Sequence, residues 1–212
     1  MKSITVNLVR HGTPSIQNSL LGHTDCELTA NGQQELLNTL TQLAPSKQLL
    51  SSPLKRCHTT SLQYAKKHNL ALQTFDCLKE CNFGLWDGVS YSELKNQDAA
   101  AAENFFRSPN EYPPPNGEPL SDFHQRVVSG FKTIVHTFSD VNVMTIITHS
   151  GVIRSLIAWC LDMDFRRAKQ FQHISIDYAS VTQLTLHIEA SGTLFPVLNF
   201  TNHVPNSKYG DW

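Results

Sequence analysis

The sequence predicts an α/β fold, a sheet covered by helices. Three observations carry this. Short apolar, β-branched runs recur as strand candidates, first at Ile4–Val9 and again at Val143–Thr148. Between them lie segments whose apolar residues repeat at helical spacing, as at Phe123, Val127, Phe131, Val135 and Phe138. The chain has 212 residues, 40% of them hydrophobic, which suffices for one sizeable core. One domain over residues 1–212 is therefore expected, and alternating strands and helices place it in the α/β class.

The elements follow in order. Residues 4–9 read as a buried strand. Residues 31–43 read as a helix, opened by Asn31-Gly32 and closed by Pro45. Lys47–Leu50 is a short strand. Ser51-Ser52 before Pro53 reads as a cap with proline at the first helical position, so a helix is expected over 53–68. A further short strand precedes Glu80. Residues 98–119 differ, with an alanine run and then "SPNEYPPPNGEP". That stretch reads as a lid-type insertion around 88–120 and not as a linker. Ser121 is the expected cap of a helix over 121–138. The strand Val143–Thr148, a buried helix over 151–161, and strands Val181–Ile188 and Leu194–Phe200 complete the chain. There is no internal repeat.

Composition removes several classes of function. Seventeen basic and eighteen acidic residues give a net charge of −1, which argues against a nucleic-acid coat or a membrane-surface protein. A small anionic ligand needs only a local cluster of cations. The apolar start is too short for a signal peptide and no apolar run is long enough to span a membrane. Five cysteines, odd in number and without a CxxC pair, read as reduced thiols of a cytoplasmic protein. The triplet Asn199-Phe200-Thr201 is then a chance match to a glycosylation site.

The chemistry gathers at strand ends. The first strand runs directly into Arg10-His11-Gly12, with no polar buffer. The second leads to Ser51-Ser52-Pro53 and a helix whose first turn holds Lys55 and Arg56. "VMTIIT" leads to His149-Ser150-Gly151 and another helix start. In open α/β sheets ligands bind beyond the carboxyl ends of the strands. If these strands are neighbours, two histidines and two arginines meet beside helix N-termini, which suits a phosphoryl group. Singly, each residue has an ordinary reading as a hydrogen-bonded histidine or a solvated cation. The repeated strand–His–Gly pattern with an arginine between is what favours a site.

Other motifs fall away. Ten histidines raise a metal reading, but there is no HExxH, and no carboxylate stands beside His11 or His149 at ligand spacing. No cofactor is expected. Cys160 and Arg166 have the spacing of a cysteine-phosphatase loop. The residues between them include Asp162 and Asp164 and no glycine, so they would repel an anion. Neither a GxSxG elbow nor a P-loop is present.

Together, "LVRHG", "SSPLKRCHTTS" and "THSG" resemble the histidine phosphatase superfamily, the phosphoglycerate mutase-like fold, over about residues 4 to 200. The resemblance implies a three-layer α/β/α sandwich with a mostly parallel central sheet and a small helical or loop lid. It implies that His11 takes the phosphoryl group and that Arg10, Arg56 and His149 complete the phosphate pocket, without a metal. A neutral imidazole must hold one ring nitrogen unprotonated, so the other N–H needs an acceptor such as a backbone carbonyl. Fixed arginines suit a group whose oxygens stay charged throughout. His149 is expected to act as a protonated donor beside bound phosphate.

In "ECNFGLWDG" the resemblance makes Glu80 the proton donor to the leaving oxygen. Asp87 is the rival acid and, by the same likeness, orders the loop. The motif "E-x-x-FG-x-W-D-G" followed by "PPPNGEPLSDFHQRV" resembles α-ribazole phosphatases first, then broad-specificity and fructose-2,6-bisphosphatase-like members. Phe83 and Trp86, with Tyr91, would flank a flat base, or else pack the loop onto the core. The run after "RHG" is short, and Asn18, Gln17 or neither takes the place of a phosphate-holding asparagine; Gly117-Glu118-Pro119 stands where relatives have "GES". The expected partner is a small phosphorylated substrate, with a homodimer left open. A mutase or a non-catalytic phosphoryl-binding module on the same pocket are the alternatives. A mutase needs a closed site, and a binding module has no use for Glu80.

Overall fold

Strand β1 (Lys2–Arg10) is the axis of the molecule in the computed structural model, which describes residues 2–44 and 46–205. It pairs in parallel with β4 (Val143–Thr148), which pairs in parallel with β2 (Gln48–Ser51), and that with β3 (Leu72–Thr74). On its other side β1 meets β5 (Val181–Ile188) antiparallel, and β6 (Leu194–His203) closes the sheet antiparallel to β5. The order is β3-β2-β4-β1-β5-β6. The sheet is thus parallel where the crossover helices run and antiparallel at its last two strands.

Helices cover both faces, and this explains why β1 and β4 read as continuous apolar runs. Ile4, Val6 and Leu8 of β1 pack with Met144 and Ile146 against α5 (Leu120–Thr137) and α6 (Ser150–Cys160). Val9, Ile147 and Leu49 pack on the other face against Leu36 and Leu40 of α1 (Ala30–Gln42) and Cys57 and Ala65 of α2 (Lys55–Lys67). The result is the three-layer α/β/α arrangement.

The insertion folds into two short helices, α3 (Tyr91–Gln97) and α4 (Ala99–Arg107). Ser90 and Glu93 form a capping box for α3, and the Asp98 side chain accepts the Ala101 N–H to start α4. Leu94, Ala102 and Phe105 pack with Leu20 into a small separate cluster, joined by Phe83, Trp86 and Val89. After α6 comes the short α7 (Lys169–His173).

Three helix starts differ from expectation. Thr29, not Asn31, caps α1, its side chain accepting the Gly32 N–H; Asn31-Gly32 lie inside the first turn. Pro45, its expected stop, lies outside the described residues. Helix α2 begins two residues after Pro53, with Leu54 as an uncapped N-cap, because the Ser52 hydroxyl faces His149. Helix α5 starts at Leu120 after Pro119, so Ser121 is inside it. The shortfall in α2 follows from where the serines are needed.

Candidate active site

The parallel register brings the three strand ends together. Arg10 lies opposite Thr148 and Ser51 opposite Ile147. Two bonds continue the ladder beyond the strands: His11 N–H to Thr148 O at 3.0 Å and Ser52 N–H to Ile147 O at 2.9 Å. His11 and His149 then face each other edge-on, their ring centroids 5.2 Å apart. The turn at Gly12 packs so closely on the first turn of α1 that a Cβ would strike the Gly32 carbonyl.

His11 is buried, and its Nδ1–H donates to the Gly12 carbonyl at 2.8 Å. This leaves Nε2 as the lone-pair nitrogen. Burial, and then the charges of Arg56 and Arg10, push its pKa well below the ordinary histidine value, against a smaller upward pull from the Gly12 bond. The ring is therefore a neutral base.

Arg10 donates from Nη1 to Ile176 O at 2.6 Å and stacks on Tyr178, its Cζ 3.8 Å from the ring centre. Its buried Nε has no partner among the described residues. Such a donor asks for an acceptor.

Arg56 is fully buried and spends its donors inside the protein. Nε donates to His149 Nδ1 at 3.2 Å, Nη1 to Thr24 O at 2.9 Å, and Nη2 to Gly22 O at 2.6 Å and Leu21 O at 3.2 Å. It ties the loop after β1 to the base of the site.

His149 accepts at Nδ1 from Arg56, so its Nε2–H donates to Ser52 Oγ at 2.9 Å. Burial first, then Arg56 and the neighbouring rings and Arg10, hold it well below the ordinary pKa. His149 in this structure is thus a neutral ring with both nitrogens engaged. Donation to a phosphoryl oxygen would require exchanging one of those bonds. Behind it lies Cys57, with no solvent exposure and Sγ 3.5 Å from Nε2. Burial pushes that thiol's pKa up.

Glu80 is 7% exposed. Its Oε2 accepts the Gly151 N–H of α6 at 2.9 Å and its Oε1 accepts the Cys81 N–H at 3.0 Å. Asp87 has a different task. It accepts backbone N–H groups from Gly22, His23, Thr24 and Phe83, and against burial the Thr24 hydroxyl and the bonds from Thr24, His23 and Phe83 draw its pKa down. It fastens the loop, as the sequence pattern suggests.

A cavity of about 470 Å³ opens over these groups. Arg10, His11, Glu80, Asn18, Gln17 and Phe83 line it; Arg56 and His149 stand behind its wall. Asn18 adopts φ +56°, its carbonyl accepting the Tyr91 N–H at 2.9 Å. Trp86 is not at the rim. It packs edge-on against Phe105, ring centres 5.7 Å apart, inside the cluster beneath α3 and α4. The insertion supplies Tyr91, Phe105 and Phe106 instead.

Two cavity residues and one clamp outside the cavity escape the sequence reading. Arg154 reaches the cavity from α6, and being four residues after Ser150 it shares a face with the helix start, which is a usable signal. Tyr178 arrives from the turn before β5, a position that only the antiparallel pairing of β5 sets. Arg126 of α5 clamps the Glu80 loop from below. It forms a two-pronged pair with Glu118 at 2.7 and 2.8 Å and donates to the carbonyls of Asp76, Cys77, Lys79 and Glu80. Arg166 of the false cysteine-phosphatase motif pairs with Asp164 at the exposed surface. Among the described residues no group of three or more His, Cys, Asp or Glu is placed to hold a metal ion, and no helix is long and apolar enough to cross a membrane.

Comparison with known proteins agrees with this geometry. The family model of the histidine phosphatase superfamily (branch 1) matches residues 6–196. An adenosylcobalamin/alpha-ribazole phosphatase of Salmonella typhimurium is 31% identical over 160 residues, 74% of this chain and 79% of that protein. Phosphoserine phosphatase 1 of Hydrogenobacter thermophilus is 26% identical over 156 residues, 74% of this chain and 71% of that one. The crystal structure of an alpha-ribazole phosphatase from Shigella flexneri superposes with a TM-score of 0.80 at 24% identity, covering 94% of this chain and 96% of that one, and shares the fold. The chain belongs to the histidine phosphatase superfamily, and it is a phosphatase of the kind that passes the phosphoryl group through a histidine.

Proposed function

We propose that this phosphatase hydrolyses α-ribazole 5′-phosphate, with Nε2 of His11 as the nucleophile. The observation that carries the chemistry is the Nδ1–H bond to Gly12, which leaves a neutral Nε2 in the cavity. Nε2 attacks phosphorus, the P–N bond forms and the ester P–O bond breaks. The leaving oxygen takes a proton from Glu80. Water then attacks phosphorus, gives a proton back to Glu80, and displaces His11 as phosphate departs. Arg10, with a free buried Nε, holds the phosphoryl oxygens.

The substrate reading rests on the similarity to proteins named α-ribazole phosphatases and on a cavity walled by Phe83, Tyr91, Phe105 and Phe106, rings suited to a flat base. The segment 88–120 acts as the lid of a one-domain enzyme. Five free cysteines fit a reducing, cytoplasmic compartment. The test is phosphate release from α-ribazole 5′-phosphate, 3-phosphoglycerate and fructose 2,6-bisphosphate, side by side in EDTA, with His11→Ala as control. A His11-dependent preference for the first is expected. Comparable slow release from all three would withdraw the substrate. Near wild-type turnover by His11→Ala would remove the nucleophile, and loss in EDTA reversed by added metal would overturn the metal-free chemistry.

A further inference from the structure

Arg154 is a cation in the cavity that the phosphoryl chemistry leaves unused. Its Nε donates to Ile174 O at 2.8 Å, and its Nη1 and Nη2 have no partner among the described residues. Arg10 is tethered two residues further along the same segment, to Ile176 O. The two guanidiniums hang from separate carbonyls of one segment, and Glu80 and Arg10 are the charges that act most strongly on Arg154. Arg10 continues directly from β1 into His11, whereas Arg154 stands a helical turn inside α6, and both line the cavity together with Phe171 and Gln172 of α7.

We infer that Arg154 is a specificity-determining residue that donates its two outer nitrogens to an oxygen acceptor on the leaving group, beyond the phosphoryl pocket. The inference rests on the phosphatase reading and deepens it. Arginine's planar fork matches a pair of oxygens, and a half-buried fork with open donors discriminates strongly against substrates lacking them. Two leaving groups supply such oxygens at the same number of bonds from phosphorus: the 3′-hydroxyl of a nucleoside 5′-phosphate, with the 2′-hydroxyl one bond further, and the carboxylate of O-phosphoserine. Tyr91, opposite from α3, and Tyr178 form the remaining walls of this end.

The experiment compares kcat and KM for wild type, Arg154→Met and Arg154→Lys on α-ribazole 5′-phosphate, O-phosphoserine and phenyl phosphate, which has no acceptor on its leaving group. Arg154→Met should lose about 10- to 100-fold more in kcat/KM on one acceptor-bearing substrate than on phenyl phosphate. Which substrate suffers identifies the acceptor as hydroxyl or carboxylate. Arg154→Lys keeps the charge without the fork and should recover part of the loss; it also carries the comparison if the methionine variant melts early. An equal loss on all three substrates would move Arg154 into the phosphoryl pocket and overturn the inference, as would no loss on any. If wild type released phosphate from none of them, the phosphatase reading itself would fall. A wild type active on all three, with a flat Arg154 profile, would sink the inference alone.

Discussion

The Glu80 carboxylate accepts the Gly151 N–H at 2.9 Å, so the acid from the loop is positioned by the first turn of the helix that follows His149. One helix start thereby serves two strands' worth of chemistry. A Cβ at residue 151 would collide with the carboxylate itself. Gly151→Ala should therefore displace Glu80 and lower kcat on alkyl phosphates by about tenfold or more while the protein stays folded. Steady-state kinetics beside a thermal melt checks this; unchanged kcat would show that the carboxylate's place does not matter.

Glu80→Gln keeps an acceptor for that N–H and removes the proton. Turnover of alkyl phosphates should fall by roughly 10²–10⁴. p-Nitrophenyl phosphate, whose leaving group needs little protonation, should lose far less. The ratio of the two losses is the measurement, and equal losses would dismiss Glu80 as the acid.

His11 and His149 both have folded pKa values below the ordinary histidine value. Below about pH 6.5 the unfolded chain binds protons that these buried rings refuse, so stability falls as pH falls. The contribution is fully present above that pH. Each ring can contribute a slope of at most about 1.4 kcal/mol per pH unit. Urea midpoints at pH 7.5, 6 and 5 should descend, and His11→Gln should flatten the descent. A profile that is flat in the wild type would contradict the neutral rings.

Arg126 should matter without touching substrate. Its partner Glu118 is 16% exposed, and removing the guanidinium strands that carboxylate and several carbonyls. Arg126→Met should cost about 1–3 kcal/mol of stability in urea unfolding. It should also lower kcat more than it raises KM, because the loop that carries Glu80 loosens. Glu118→Gln should reproduce the direction at smaller size.

The parts of the site that lie within a few residues of a parallel strand end were legible in the sequence. Arg10, His11 and His149 follow β-branched runs whose neighbours the α/β rule already implies, and Glu80 and Asp87 lie in one short motif. Trp86 stayed open between the rim and the core because an aromatic beside a loop has the same pattern whether it meets a ligand or Phe105. Ser52 was misread as a cap because its real partner, His149, is distant in sequence. Arg126 and Tyr178 act across the fold, through helix α5 and an antiparallel strand, and no local periodicity encodes those meetings. The start of α2 slipped by two residues where Ser52 had a tertiary bond to make.

Cys57 sits against His149 without solvent exposure, and its thiol is held protonated by burial. Cys81, at the cavity wall, is held protonated by burial and the nearby Glu80 charge. Peroxides attack accessible thiolates, and neither sulfur presents one. A phosphatase whose nucleophile is nitrogen and whose nearest sulfurs are quenched in this way should keep its turnover in hydrogen peroxide that silences enzymes built on a reactive cysteine.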